Sequence, residues 1–168
     1  MEFLPRPDVL TYEELERLCA VFMRHGVRRI RLTGGEPLVR RDVGEFLCSL
    51  GRWIQPGAAT PALDELTLTT NGARLDRYAA TLVRAGVRRV NVSLDSLKTE
   101  RFSAITRRGD LRRTLDGVLA AREAGLAVRT TTAALTGTHH AEPDHLIARC
   151  GHPGAALCPL DNTHTPQT

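Results

Sequence analysis

The sequence predicts a parallel α/β fold, and two patterns in it carry that prediction. The first is an internal repeat. His25-Gly26-Val27-Arg28-Arg29-Ile30 is echoed by Ala85-Gly86-Val87-Arg88-Arg89-Val90 and, more weakly, by Ala124-Gly125-Leu126-Ala127-Val128. Each copy is a helix stop followed directly by a strand. The second pattern is the steady alternation of helical and strand periodicity with short links, which favours strands lying parallel in one sheet. An open doubly wound sheet and a (β/α) barrel both satisfy these observations.

The elements follow in order. Thr11-Tyr12-Glu13-Glu14 is a capping box, with Leu15, Leu18, Cys19 and Phe22 following at helical spacing and Gly26 as the stop. Val27 to Thr33 is the first strand and ends at Gly34-Gly35. Asp42 is placed to cap a helix carrying Val43, Phe46, Leu47 and Leu50, and Gln55 to Pro61 is a loop by its Pro and Gly content. Leu66 to Thr70 is a strand closed by the turn dipeptide Asn71-Gly72, and a helix through Leu75, Ala79, Leu82 and Val83 stops at Gly86. Val90 to Leu94 is the third strand. A helix from about Asp110 to Ala124 and a strand from Leu126 to Thr132 complete the pattern. From Gly137 onward periodicity fades, prolines punctuate the chain, and the sequence predicts a poorly ordered tail over residues 137–168.

Composition narrows the function classes. The 168 residues are 42% hydrophobic and 25% charged, which suits one folded domain and argues against a disordered chain. No apolar run approaches the roughly 18 residues of a membrane span, and the N-terminus lacks the basic-then-apolar pattern of a secretory signal. A soluble, cytoplasmic protein without membrane contact is expected. Lys98 is the one lysine among 23 basic residues, a bias that points to genomic base composition. A net charge of +4 with 4 Phe, 2 Tyr and 1 Trp gives neither the basic stripe nor the stacking aromatics of a nucleic-acid binder.

Parallel α/β folds carry their working residues at the C-terminal ends of strands. Those ends hold Thr33-Gly34-Gly35-Glu36, Thr69-Thr70-Asn71-Gly72, Ser93-Leu94-Asp95-Ser96 and Thr130-Thr131-Thr132. Turn chemistry alone would explain any one of them, but four polar ends in succession suggest a shared site. In Gly34-Gly35-Glu36-Pro37 the glycines let a ligand approach the backbone, Glu36 offers a carboxylate to an ammonium, and Pro37 stiffens the exit. A tight turn with a helix-capping acid would use the same residues. No Gly-Lys-Ser/Thr loop and no G-x-G-x-x-G is present, which excludes the usual phosphate-loop and dinucleotide fingerprints.

Taken together, FLPRPDVLTYEEL, GVRRIRLTGGEPLVRRD, LTLTTNG, GVRRVNVSLDSL and RFSAITRRGDL resemble the radical S-adenosylmethionine (radical SAM) superfamily. Within it they are most similar to the GTP 3',8-cyclase family of molybdenum cofactor biosynthesis. The stretches run in family order from about Phe3 to Val128. TGGEP alone marks many radical SAM enzymes, whereas RLTGGEPLVRRD with LTTNG and NVSLDSL is far more specific.

The resemblance implies a partial radical SAM (β/α) barrel of about four parallel strands over residues 1–136. It implies S-adenosylmethionine bound by Gly34, Gly35, Glu36 and Ser93, and GTP, the small-molecule substrate, bound by Arg31, Thr69 and Arg129. A guanidinium suits phosphate oxygens bidentately; Arg31 could instead pair with a helix carboxylate. At Arg129 and Thr131 the family carries Lys and Asn, so the strand departs from the pattern there. The family's reaction is a lyase-type cyclisation of GTP to 3',8-cyclo-7,8-dihydro-GTP, started by a [4Fe-4S] cluster, and the full-length family is expected to form homodimers.

Such clusters are held by Cys thiolates. The family's C-x3-C-x2-C loop would lie upstream of Phe3, and its second cluster and C-terminal GTP segment beyond residue 168. The chain is accordingly expected to be an incomplete form, inactive alone. Cys19 and Cys48 sit at apolar helical positions and read as packed thiols. Cys150, His152 and Cys158 match no standard metal spacing, so no metal ligand is assigned. Two alternatives remain: a non-catalytic module that binds S-adenosylmethionine or a nucleotide, and a fragment of a radical SAM enzyme with another substrate.

Overall fold

Strands built from alternating side chains have two unlike faces, and that alternation organises this molecule. The computed structural model describes residues 9–54, 62–106, 109–134 and 156–161. Helix α1 (Tyr12–Arg24) opens on the capping box: the Thr11 hydroxyl accepts from the Glu14 N–H at 3.2 Å, and the Glu14 carboxylate accepts from the Thr11 N–H at 2.7 Å. Strand β1 (Arg29–Leu32) follows, then a single 3-10 turn at Pro37–Val39 and helix α2 (Val43–Gly51). Strand β2 (Glu65–Thr70), helix α3 (Leu75–Arg84) and strand β3 (Arg89–Ser93) come next. Helices α4 (Thr99–Thr106) and α5 (Leu111–Glu123) lead to strand β4 (Ala127–Ala134), with β5 (Ala156–Asp161) last. The repeated helix stops Gly26, Gly86 and Gly125 all take positive φ, at 92°, 75° and 90°.

The strands form one sheet in the order β1-β2-β3-β4-β5, and every pairing is parallel. This order decides between the two architectures that the sequence left open. A doubly wound sheet reverses its strand order at a switch point and carries helices on both faces. Here the order never reverses, and the helices lie together on one face. Leu66, Leu68, Val90, Val92 and Val128 point into a single core with Phe46, Leu47, Leu50, Leu75, Leu82 and Ala121. A sheet wound in one direction with helices on one side is a segment of a (β/α) barrel.

Four details differ from the sequence reading. The buried stripe of α1 is Cys19 and Met23, with Tyr12 and Leu15 packed beside it, whereas Leu18 and Phe22 are exposed. Positions 15, 19 and 23 are spaced i, i+4, i+8 and stack along one helix face. Helix α4 went unread because it is short and buries one side chain, Phe102, against Leu94 and Leu111. Asp42 precedes α2 but takes φ 60° and its side chain makes no cap hydrogen bond. Finally, the sheet has a fifth strand, β5, where a tail was expected. Pro159 reads as a breaker, yet β5 lies at the sheet edge, where a missing N–H can be tolerated. The other residues of 137–168 lie outside those described. No described helix is long and apolar enough to cross a membrane.

Candidate functional site

Because all strands run parallel, their C-terminal ends gather at one edge of the sheet, and the four polar loops gather with them. The strand register adds something the loops alone do not show. Arg31 pairs with Thr67, Thr69 with Asn91, Asn91 with Arg129, and Ser93 with Thr131. Residues paired across a sheet point to the same side. Since Leu66, Leu68, Val90 and Val128 face the helices, these polar residues face the opposite side. The sheet is therefore apolar toward the helices and lined by Arg, Thr, Asn and Ser on its other face.

The residues selected from sequence divide between that face and its rim. Arg31 and Ser93 are exposed on the face, while Thr69 and Arg129 are half-buried on it. Arg31 has no ion pair among the described residues, so its pairing with a helix carboxylate is not what the fold provides. Gly34 and Gly35 are exposed at the rim. Gly34 takes φ 149°, and a side chain built there would meet nothing within 4 Å. Open space flanks this backbone, and its conformation disfavours any side chain.

Glu36 is the most constrained of the group. One carboxylate oxygen accepts from the Leu38 N–H at 3.1 Å and from the Thr70 hydroxyl at 2.8 Å. The other accepts from the Asn71 N–H at 2.6 Å. A carboxylate has about four lone-pair sites, so one direction remains for a further donor.

Sequence reasoning did not single out Glu65, Arg89 and Asn91. Glu65 and Arg89 form an ion pair at 2.9 Å with both side chains about one-third exposed (32% and 30%). The buried Asn91 amide donates to the Leu68 carbonyl at 3.5 Å. The signal was present in the alternation of Glu65-Leu66-Thr67-Leu68-Thr69 and Arg89-Val90-Asn91-Val92-Ser93, which assigns every second residue to one face.

A separate depression of about 630 Å³ lies by the start of α1, lined by residues including Thr11, Tyr12, Arg40 and Asp42. The Arg40 guanidinium sits 4.2 Å from the Tyr12 ring centroid, and Tyr12 stacks on Phe46 at 4.7 Å. Burial pushes the Tyr12 phenol above its ordinary range, opposed by the Arg40 charge. None of the residues selected from sequence lines this depression.

No group of three His, Cys, Asp or Glu side chains among the described residues could hold a metal ion. Cys19 is buried in α1 and Cys48 is half-buried in α2, both on the helical side of the sheet. Burial, with a smaller push from Glu16, raises the Cys19 thiol above its ordinary range. The stability it contributes is present below the ordinary thiol range and is lost as pH rises through the raised value. At pH 8, peptide mapping after alkylation is expected to find Cys48 modified well before Cys19. Equal rates in the folded protein would contradict this packing.

This singly wound sheet, with its glycine rim and polar inner face, has the layout of a radical SAM domain. Residues 2–149 match the family profile described as the Radical SAM superfamily, and the chain belongs to that superfamily. Among curated relatives, the GTP 3',8-cyclase of Rhodopseudomonas palustris is 57% identical over 147 residues, covering 88% of this chain and 42% of the relative. The GTP 3',8-cyclases of Brucella ovis and Brucella melitensis are each 53% identical over the same length and with the same coverage. The chain thus spans 42% of the length of these relatives.

Proposed function

We propose that this chain forms the S-adenosylmethionine- and GTP-binding part of a GTP 3',8-cyclase acting in molybdenum cofactor biosynthesis. The observation that carries this reading is the polar sheet face ending at the Gly34–Gly35 rim. Arg29, Arg31 and Arg129 lie on that face without an ion pair among the described residues. Interleaved hydroxyls at Thr69, Ser93 and Thr131 complete a surface suited to a polyphosphate and a ribose.

In this reading Gly34 and Gly35 admit the amino-acid end of S-adenosylmethionine to the strand-end backbone. The free lone-pair direction of Glu36 faces its ammonium, and Ser93 supplies a hydroxyl. The open space beside Gly34 fits a ligand held through backbone groups. S-adenosylmethionine would supply the group that removes a hydrogen atom from the substrate once a one-electron donor, which the described residues do not hold, cleaves it. Arg31 and Arg129 hold the GTP phosphates, and Thr69 orients the nucleotide. Arg129 offers a planar fork where the family carries an ammonium, so it can engage two oxygens of one phosphate. The described residues do not bring together the thiolates that a [4Fe-4S] cluster needs. This reading also places the protein in the cytoplasm, acting on a small nucleotide rather than on nucleic acid, with homodimers expected of the full-length family.

Isothermal calorimetry on the wild type and Gly34→Val tests the reading. A β-branched residue at φ 149° blocks the rim. The variant is expected to lose at least about tenfold in S-adenosylmethionine affinity, roughly 1.4 kcal/mol. Its GTP affinity is expected to fall by less than its S-adenosylmethionine affinity, since the phosphates lie on the sheet face. Absence of binding by the wild type, or equal S-adenosylmethionine binding by the variant, would refute the assignment.

A further inference from the structure

We propose that Glu36 is a positioning residue that straps the loop after β1 to the turn after β2, so that ligands on the two loops bind with positive coupling. The geometry of its carboxylate is the basis. It bonds locally to Leu38 N–H at 3.1 Å, and its two other partners, Thr70 and Asn71, lie 34 and 35 residues further along the chain. Both oxygens join the two strand ends, using three of about four lone-pair directions and leaving one for a ligand.

The strap extends past its first partners. The Thr70 hydroxyl, which donates to Glu36, also accepts from the Gly72 N–H at 3.1 Å. The Asn71 side chain accepts from the Ala73 N–H at 3.0 Å, closing the turn on itself. The Asn71 carbonyl accepts from the Thr114 hydroxyl of α5 at 3.2 Å. Glu36 therefore links β1 to a turn that is itself fixed from behind by a helix. Moving the Gly34–Glu36 loop would drag the Asn71 turn and, with it, the end of β2 that carries Thr69.

The coupling rests on the binding roles proposed above, whereas the strap does not. If S-adenosylmethionine settles Gly34–Gly35 into one conformation, Glu36 transmits that order to the β2 end, and GTP meets a prearranged Thr69. Linkage requires the effect to be reciprocal. This coupling runs through hydrogen bonds within the protein and needs no contact between the ligands.

Glu36→Gln is the informative substitution. The side chain keeps its shape, but one oxygen becomes an NH2 group that cannot accept. In either amide orientation one backbone N–H, of Leu38 or of Asn71, faces a donor. Hydrogen exchange on the ligand-free chain, resolved by residue, reads the strap directly. Exchange is expected to accelerate by about tenfold or more at Asn71, or at Leu38 and Gly72 when the NH2 faces Leu38 and Thr70, with Leu66, Leu68 and Val90 unchanged, because loss of local bonds opens the turn without opening the sheet. Unchanged protection at Leu38, Asn71 and Gly72 alike would overturn the strap. Thr70→Val keeps the carboxylate but removes both a donor to it and the acceptor of the Gly72 N–H, so Gly72 exchange is expected to rise directly and Asn71 exchange by less than in Glu36→Gln. It serves in its place should Glu36→Gln fail to fold.

Calorimetry reads the coupling. Saturating GTP is expected to tighten S-adenosylmethionine binding to the wild type by about fivefold or more, and Glu36→Gln is expected to bring that factor close to one. Both ligands binding the wild type independently, or the variant keeping the full factor, would overturn the coupling. Failure of either ligand to bind the wild type would overturn the binding roles and the coupling together, and exchange would still judge the strap.

Discussion

Leu68→Ala is expected to destabilise the fold by about 2–5 kcal/mol. Leu68 is fully buried at 0% exposure on β2, which has a strand on each side, and it points into the larger core cluster beneath the helices. Removing its branched end leaves a void that a close-packed parallel sheet closes poorly. One residue further on, Thr69 points to the polar face, and Thr69→Ala is expected to cost less than about 1 kcal/mol. Urea unfolding of both variants measures the contrast. Similar losses from the two would mean that the sheet faces are not differentiated as the register implies.

Gly117→Ala is expected to lower stability by about 1–3 kcal/mol, although alanine is the better helix former. Gly117 lies inside α5, and a Cβ there would clash with the Gly72 carbonyl oxygen. The obstructing atom belongs to the backbone, so no rotamer change relieves the clash. The helix has to back away from the Asn71-Gly72 turn and stretch the bond from Thr114 to the Asn71 carbonyl. A raised melting temperature would show that helix propensity dominates at this position. The same displacement is expected to loosen the turn held by Glu36.

These two variants also mark what could be read in the sequence. The strand carrying Leu68, and the glycine stops that set the repeat, follow from local periodicity, and so does the gathering of polar loops at one edge. The singly wound order does not, because strand neighbours are chosen by packing between segments. Helix α4 escaped because a one-residue apolar face gives no period, and β5 because Pro159 signals a break in any position but an edge. The left-handed conformation of Asp42 has no local signature in an acidic residue that usually caps. At the candidate site the residue types were legible, but the partners of Glu36 were not. A carboxylate in a Gly-Gly-Glu-Pro loop announces a role without saying whether it faces a ligand or another strand end. Only the meeting of two loops more than thirty residues apart distinguishes them.

The strand order has one more consequence. Every strand pairs with the strand next in sequence, and α2 packs on α3 and α3 on α5. Cohesion in such an arrangement is a sum over adjacent units, much as in repeat proteins. A cut between units severs one ladder and one helix contact and leaves the remaining units with their own neighbours. This makes the architecture divisible, so that a run of neighbouring strands can retain a packed interior.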